Sequence, residues 1–320
     1  MRRLLPVSFL LLSTAAWADV PRVATDIAPV HSLVAQVMAG VGTPDLTIPP
    51  GASPHSYAMR PSEARALAGA DLVVWVGPSL TAWLGDPIDT LAGDALHLEL
   101  ENVAGTVMLE NRTGVAFEVH DHGANHDDDA EEGGRDDHAD HGGHDHPAGA
   151  IDPHLWLDPV NASLWLGAIS DALGQLDPDN AQIYAANAAK RQGDLADLQA
   201  RIQAQLEPVQ GRPFAVFHDA YHYFEARFGV EASAALSLSD GSAPSAARLD
   251  EVRNVVQSIN AVCVFTEPQF NPGLVAALAD GGSLKSASLD PLGAALTPGP
   301  ALYGEMIQGL ATSFANCLIE

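Results

Sequence analysis

The chain has 320 residues, 47% of them hydrophobic, and carries 15 basic against 41 acidic residues for a formal charge of −26. That length and apolar content support a sizeable interior and suggest two domains more readily than one. The charge excludes nucleic acid and anionic membrane surfaces as partners and draws cations instead.

The predicted elements begin with a leader. Arg2 and Arg3 precede the apolar stretch Leu4 to Leu12, and Ala16-Trp17-Ala18 closes it with a small-x-small cleavage pattern, which reads as a secretory signal peptide over residues 1–18. Its apolar core is too short to span a bilayer, and no cysteine sits at the cleavage point to carry a lipid. The mature chain is expected to start near Asp19 and to be soluble outside the cytoplasm. Losing two arginines leaves 13 basic against 41 acidic residues, so 13 − 41 gives −28.

Pro21 to Thr25 reads as a short strand, and Ile27 to Met38 shows helical apolar spacing before Gly40 and Gly42 stop it. Ala70 to Gly77 is an apolar run of strand length, followed by Pro78-Ser79 and a helical stretch. Glu118 to His146 then packs seven histidines (His120, His122, His126, His138, His141, His144 and His146) and eleven carboxylates into 29 residues, with Arg135 the one opposing charge. Such a segment cannot bury a core, so residues from about 118 to 149 are expected to form a disordered loop. Imidazole suits zinc, copper and nickel, and its irregular alternation with Asp and Glu describes a loose, multivalent metal collector.

Pro178 to Leu206 is nearly free of helix breakers and predicts one helix of about 28 residues, near 42 Å long, with Asp177 as its N-cap. Pro213 to Phe217 and Ala261 to Thr266 are two more strands, each leading to a helix, after His218 and after Asn271. Strand then helix, repeated, argues for an α/β fold with mostly parallel sheets flanked by helices. The expected organisation is an N-terminal lobe over 19–176, a linking backbone helix over 177–207 and a C-terminal lobe over 208–320. One long rigid helix between lobes limits hinge opening. Cys263 and Cys317, the only cysteines, are most simply a disulfide in an oxidising compartment.

Six histidines lie outside the collector: His31, His55, His97, His154, His218 and His222. His55, in Gly51-Ala52-Ser53-Pro54-His55, His154, in Asp152-Pro153-His154-Leu155-Trp156-Leu157, and His218, directly after Phe214-Ala215-Val216-Phe217, each sit after a strand or at a turn before a helix. In open α/β sheets that is where ligand-binding groups gather. His31 and His97 are most simply structural.

Those motifs, with Arg60-Pro61-Ser62, Val216-Phe217-His218-Asp219-Ala220-Tyr221, Thr266-Glu267-Pro268-Gln269-Phe270 and Leu289-Asp290-Pro291-Leu292-Gly293, span both halves. As a set the chain resembles the metal-binding solute receptors of bacterial ABC importers, the cluster A-I family, and most its zinc-specific ZnuA-type members. The resemblance implies a metal held between two lobes joined by a long helix, with His55 and His154 from the first lobe and His218 and Asp290 from the second. Three imidazoles with at most one carboxylate suit Zn2+. Pro54 stands where some zinc members carry an acidic residue, so the fourth ligand is Asp290 or water; Asp290 also reads as a turn cap before Pro291. Glu267 is either a partner fixing a histidine tautomer or a plain loop acid.

The resemblance further implies a periplasmic, monomeric receptor that delivers zinc to an inner-membrane ABC permease powered by a separate cytoplasmic ATPase, with no catalytic residues. The histidine-rich loop would serve as a weaker collecting site, a sensor, or a transfer point for a periplasmic metal chaperone. Two other readings stand beside it. One is a periplasmic zinc buffer or storage protein built around the loop. The other is a zinc hydrolase, since His218-Asp219-Ala220-Tyr221-His222 is one methylene short of a helical two-histidine metalloprotease motif; but His218 ends a strand run, which separates the pair.

Overall fold

The computed structural model describes residues 20–113, 116–117, 149–237, 246–268 and 284–319. The leader at 1–18, the loop histidines from His120 to His146 and the helix expected after Asn271 lie outside the described residues.

Val23–Thr25 (β1), Asp45–Leu46 (β2), Leu72–Trp75 (β3) and Leu96–Glu99 (β4) form one parallel sheet in the order β2-β1-β3-β4. Phe214–His218 (β5), Ala234–Ser237 (β6), Cys263–Thr266 (β7) and Lys285–Ser288 (β8) form a second, in the order β6-β5-β7-β8. The inner strands are buried along their whole length in β1, β3 and β5, as a parallel sheet covered on both faces requires. In each sheet the order reverses beside the first strand, so the carboxyl ends of β1 and β3, and of β5 and β7, open onto the crevices where such folds place ligands.

The first sheet is served by Ala28–Val37 (α1), Pro61–Ala68 (α2), Pro78–Thr81 (α3) and Gly85–Leu91 (α4). Two long helices then cross to the second sheet: Pro159–Leu176 (α5) and Ala181–Leu206 (α6). Asp158 caps α5 by accepting the Val160 N–H at 2.8 Å, and Pro159 occupies the first turn, where its missing N–H costs nothing. The expected helix therefore starts later than Pro178 and runs 26 residues, about 39 Å. Asp177 does not cap it: this buried residue closes α5, and its Oδ2 accepts from Asn180 Nδ2 at 2.7 Å and the Tyr184 hydroxyl at 2.8 Å.

His222–Phe228 (α7), Ala246–Ser258 (α8) and Leu302–Leu318 (α9) complete the described helices. The C-terminal helix α9 belongs to neither sheet alone. It packs on α6 and α1, its Tyr303 N–H donates to Ser32 Oγ at 3.0 Å, and Gln36 Nε2 donates to the Pro300 carbonyl at 2.9 Å. One apolar core runs unbroken from Val23 and Val74 through Ile202 and Leu206 to Phe214, Phe265 and Phe314. Close packing of this kind resists relative rotation of the two sheets far more than a linker would. The disulfide joins Cys263, the first residue of β7, to Cys317 of α9 across a separation of 54 residues. Among the described residues no helix is long and apolar enough to cross a membrane.

Candidate metal centre

Two turns and one strand end carry the three histidines to one point. His55 lies in a single turn of 3₁₀ helix, Pro54–Ser56, whose start is tied by Ser53 Oγ accepting the His55 N–H at 3.2 Å and by Trp83 Nε1 donating to the Pro54 carbonyl at 2.8 Å. His154 immediately precedes a second such turn, Leu155–Leu157. His218 is the last residue of β5, at the carboxyl end of the second sheet beside its topological switch.

Ring centroids are separated by 5.6 Å for His55 and His154, 6.2 Å for His55 and His218, and 5.0 Å for His154 and His218. One nitrogen from each ring lies within 4.8 Å of the other two. Three imidazole nitrogens on one tetrahedral zinc, each at about 2.0–2.1 Å, stand roughly 3.3 Å apart, so small side-chain rotations close the set around an ion. The cavity they share with Pro54, Trp156, Glu267, Pro291 and Leu292 is about 10 Å³. That is the room of a single water or ion and excludes an organic solute.

Two carboxylates stand behind the rings. Asp152 Oδ1 takes both the His154 backbone N–H, at 2.9 Å, and the ring Nδ1, at 2.7 Å, which directs Nε2 into the cavity. Glu267, just past β7, places Oε1 3.2 Å from His218 Nδ1. Burial pushes the Asp152 carboxyl up to about 7, and the nearby Asp219 charge adds to this. Such outer carboxylates fix ring orientation and raise ligand basicity.

Asp290, expected beside water as a candidate fourth ligand, does not join the group among the described residues. Its Oδ1 accepts the backbone N–H of Leu292 at 3.3 Å and Ala294 at 3.0 Å, and its Oδ2 that of Ala295 at 3.2 Å, so it caps its own turn, which Gly293 completes at φ +66°. This turn is docked on the first lobe by Trp156 Nε1, which donates to the Pro291 carbonyl at 2.7 Å. His31 and His97 contact backbone carbonyls, of Pro44 at 3.2 Å and Ala92 at 2.8 Å. His222 opens α7 while His218 ends β5, so the two do not share a helical face. Instead His222 Nδ1 lies 3.8 Å from Asp152 Oδ2, on the far side of that carboxylate from His154, and burial lowers its pKa. Asp152 was visible in the sequence two residues before His154 and could have been assigned its role from that spacing. Arg112, which reaches Asp219, carried no sequence signal.

A family profile described as "ZnuA: Zinc-uptake complex component A periplasmic" matches residues 23–317. The high-affinity zinc uptake system protein ZnuA of Paracoccus denitrificans is 42% identical over 311 residues, covering 96% of this chain and 95% of that protein. The protein of the same name from Brucella abortus is 41% identical over 305 residues, covering 92% and 91%. A crystal structure of ZnuA superposes with a TM-score of 0.74 at 22% identity over 94% of this chain and all 100% of that one. The periplasmic zinc-binding protein TroA of Treponema pallidum gives 0.74 at 21% identity, over 94% and 99%, a likeness of fold. With the profile spanning nearly the whole described chain and relatives above 40% identity, this protein belongs to the ZnuA family, zinc-uptake complex component A.

Proposed function

We propose that this chain captures zinc in the periplasm and hands it to the permease of an ABC importer whose ATPase is a separate cytoplasmic protein. The observation that carries the reading is the convergence of His55, His154 and His218 within 4.8 Å around an ion-sized cavity. These three residues are the zinc ligands, water is the fourth, and Asp152 and Glu267 orient His154 and His218. Neutral imidazoles with a water-accessible fourth position favour zinc over hard cations such as manganese or magnesium. The family is one of transport receptors, and the site serves cargo capture without catalysis.

In this reading residues 19–176 and 208–320 are two lobes around the backbone helix at 177–207, and the continuous core keeps the metal pocket preformed. The leader at 1–18 directs export. The seven histidines from His120 to His146 collect additional, weaker ions or pass metal from a periplasmic chaperone, and the receptor acts as a monomer. The acidic surface raises the local cation concentration and speeds encounter.

Elemental analysis of purified protein, beside a variant carrying His55→Ala, His154→Ala and His218→Ala, tests the assignment. The wild type is expected to retain one tightly held zinc after dialysis against a weak chelator, and the variant none. Equal retention by both would overturn the site.

A further inference from the structure

The two halves of the metal site are joined by something besides the core. After β4 the chain runs back along the His154 segment: Asp152 N–H donates to the Leu109 carbonyl at 2.8 Å, Asn111 N–H donates to the Ala150 carbonyl at 2.9 Å, and Glu110 pairs with Ile151 in an antiparallel bridge. The next residue, Arg112, leaves the first lobe and enters the second. Its Nε donates to Asp219 Oδ1 and Oδ2 at 3.1 and 3.2 Å, its Nη2 donates to the same carboxylate, and its Nη1 donates to Glu225 Oε2 at 2.6 Å. Asp219 follows His218 directly, and Glu225 is fully buried in α7, where the same oxygen also accepts the Ala232 N–H at 3.1 Å.

The stem is held further along as well. The Arg112 guanidinium lies 4.1 Å from the centroid of Phe117, the Phe117 N–H donates to Ser233 at 3.0 Å, and Ala116 pairs with Ala234 of β6. Arg112 thus sits on an extended segment hydrogen-bonded to the His154 segment and grips the residue after His218.

We propose that Arg112 is a positioning residue for the metal centre, fixing His218 of the second lobe relative to His154 of the first through its forked pairing with Asp219 and Glu225. The inference rests on the three-histidine site proposed above. The fork geometry matters: a planar guanidinium satisfies two carboxylates from fixed directions, whereas an ammonium supplies the charge without the angles. Burial works against a charge here, but Glu225 and Asp219 outweigh it and hold the guanidinium above its ordinary pKa, so it stays charged throughout the neutral range. Removing it leaves two buried carboxylates facing each other without a cation, and the turn bearing His218 shifts.

A second, half-buried pair between the lobes supplies the control. Arg227 of α7 donates to Asp158 through Nε at 2.8 Å and Nη2 at 2.7 Å, but leads to no ligand-bearing turn of the second lobe. Purified full chain, Arg112→Gln, Arg112→Lys, Asp219→Asn and Arg227→Gln would each be loaded with one equivalent of Co2+ for its d–d spectrum and titrated with Zn2+ against a chromophoric chelator. Thermal midpoints would be recorded in the metal-free state.

The expected result is that Arg112→Gln and Asp219→Asn weaken the tight zinc at least tenfold and change the cobalt band shape. Arg112→Lys recovers the midpoint without recovering the spectrum. Arg227→Gln lowers the midpoint comparably while its spectrum stays that of the wild type and its affinity stays within twofold. Should Arg112→Gln fail to fold, Asp219→Asn, which keeps the side-chain shape, decides alone. Wild-type spectra and affinities in folded Arg112→Gln or Asp219→Asn would overturn this inference and leave the three-histidine site standing. Failure of the wild type to hold cobalt at the histidines, seen as an identical spectrum in the triple-alanine variant, would overturn both.

Discussion

Replacing Cys263 and Cys317 together by alanine separates stability from metal capture. The bridge closes a loop of 54 residues, and on the chain-entropy relation its loss lowers the unfolding free energy by about 4 kcal/mol. In a chain of this size that corresponds to a fall in midpoint of roughly 6 °C. The disulfide anchors the first residue of β7, while Glu267 follows the strand's far end, four positions on. At about 3.3 Å per residue the bridge is some 13 Å along the strand from the residue that orients His218. The inner strands between are packed on both faces, so the carboxyl end of β7 keeps its place without the bridge. The variant is expected to unfold at lower urea with a steeper slope, because the uncrosslinked unfolded chain exposes more surface, yet to bind zinc within twofold of wild type in chelator competition. A stability loss below about 1 kcal/mol would refute the loop-closure account, and a tenfold fall in zinc affinity would refute the separation of anchor from site.

Removing the Asp290 carboxylate by Asp290→Ala deprives three backbone N–H groups of their acceptor, at a cost of about 1–3 kcal/mol, and leaves zinc bound far more tightly than His154→Ala does; equal affinity losses in the two variants would make Asp290 a ligand. His222→Ala is expected to keep zinc affinity within about threefold, because His222 touches the outer side of Asp152, and a loss of tenfold or more in the same titration would place it on the metal. Zinc affinity should fall steeply between pH 7.5 and 5.5 as imidazoles with an ordinary pKa of about 6.5 take up protons, and a flat profile would contradict imidazole ligation. The Asp26 contribution to the stability of the metal-free protein moves the other way. Burial pushes Asp26, at the end of β1, up to about 7 from 3.8, so between those values the folded state holds a proton the unfolded state lacks, and its contribution is fully present below 3.8 and lost as pH rises through about 7. Calorimetry in chelator should show a smaller fall in midpoint from pH 5.5 to pH 8 in Asp26→Asn than in wild type, and an equal change in the two would refute it.

The strands legible in the sequence are the buried inner ones. Val23–Thr25, Leu72–Trp75 and Cys263–Thr266 fall within predicted apolar runs and Phe214–His218 overruns its run by the one residue His218, because a strand covered on both faces is apolar at nearly every position. The other four were silent for reasons particular to each. Asp45–Leu46 is two residues long, Leu96–Glu99 is only half-buried, Ala234–Ser237 is alanine-rich with little β-propensity, and Lys285–Ser288 lies on an edge with three of its four residues exposed. Each exists because a neighbouring strand offers it hydrogen bonds. The start of helix α5 is written in Asp158-Pro159, and the long helix begins three residues after Pro178 because the Asp177 carboxylate is committed to Asn180 and Tyr184 instead of capping it.

The site divides along the same line. Local motifs of a few residues were enough to single out His55, His154 and His218, because a turn at a strand end is written in adjacent residues. Asp290 looked equally eligible, and only folding decided that its oxygens would be consumed by the amides of its own turn. The sequence by itself determined the charge, the two α/β halves, the cysteine pair and the three imidazoles. Tertiary structure alone decided that Glu267 stands behind His218, that Arg112 reaches from one lobe to grip the residue beside His218, and that the last helix returns to seal both sheets into one core. Those features depend on directions and distances between segments from 49 to 113 residues apart or more, and residue order along a chain does not contain them until the chain has closed on itself.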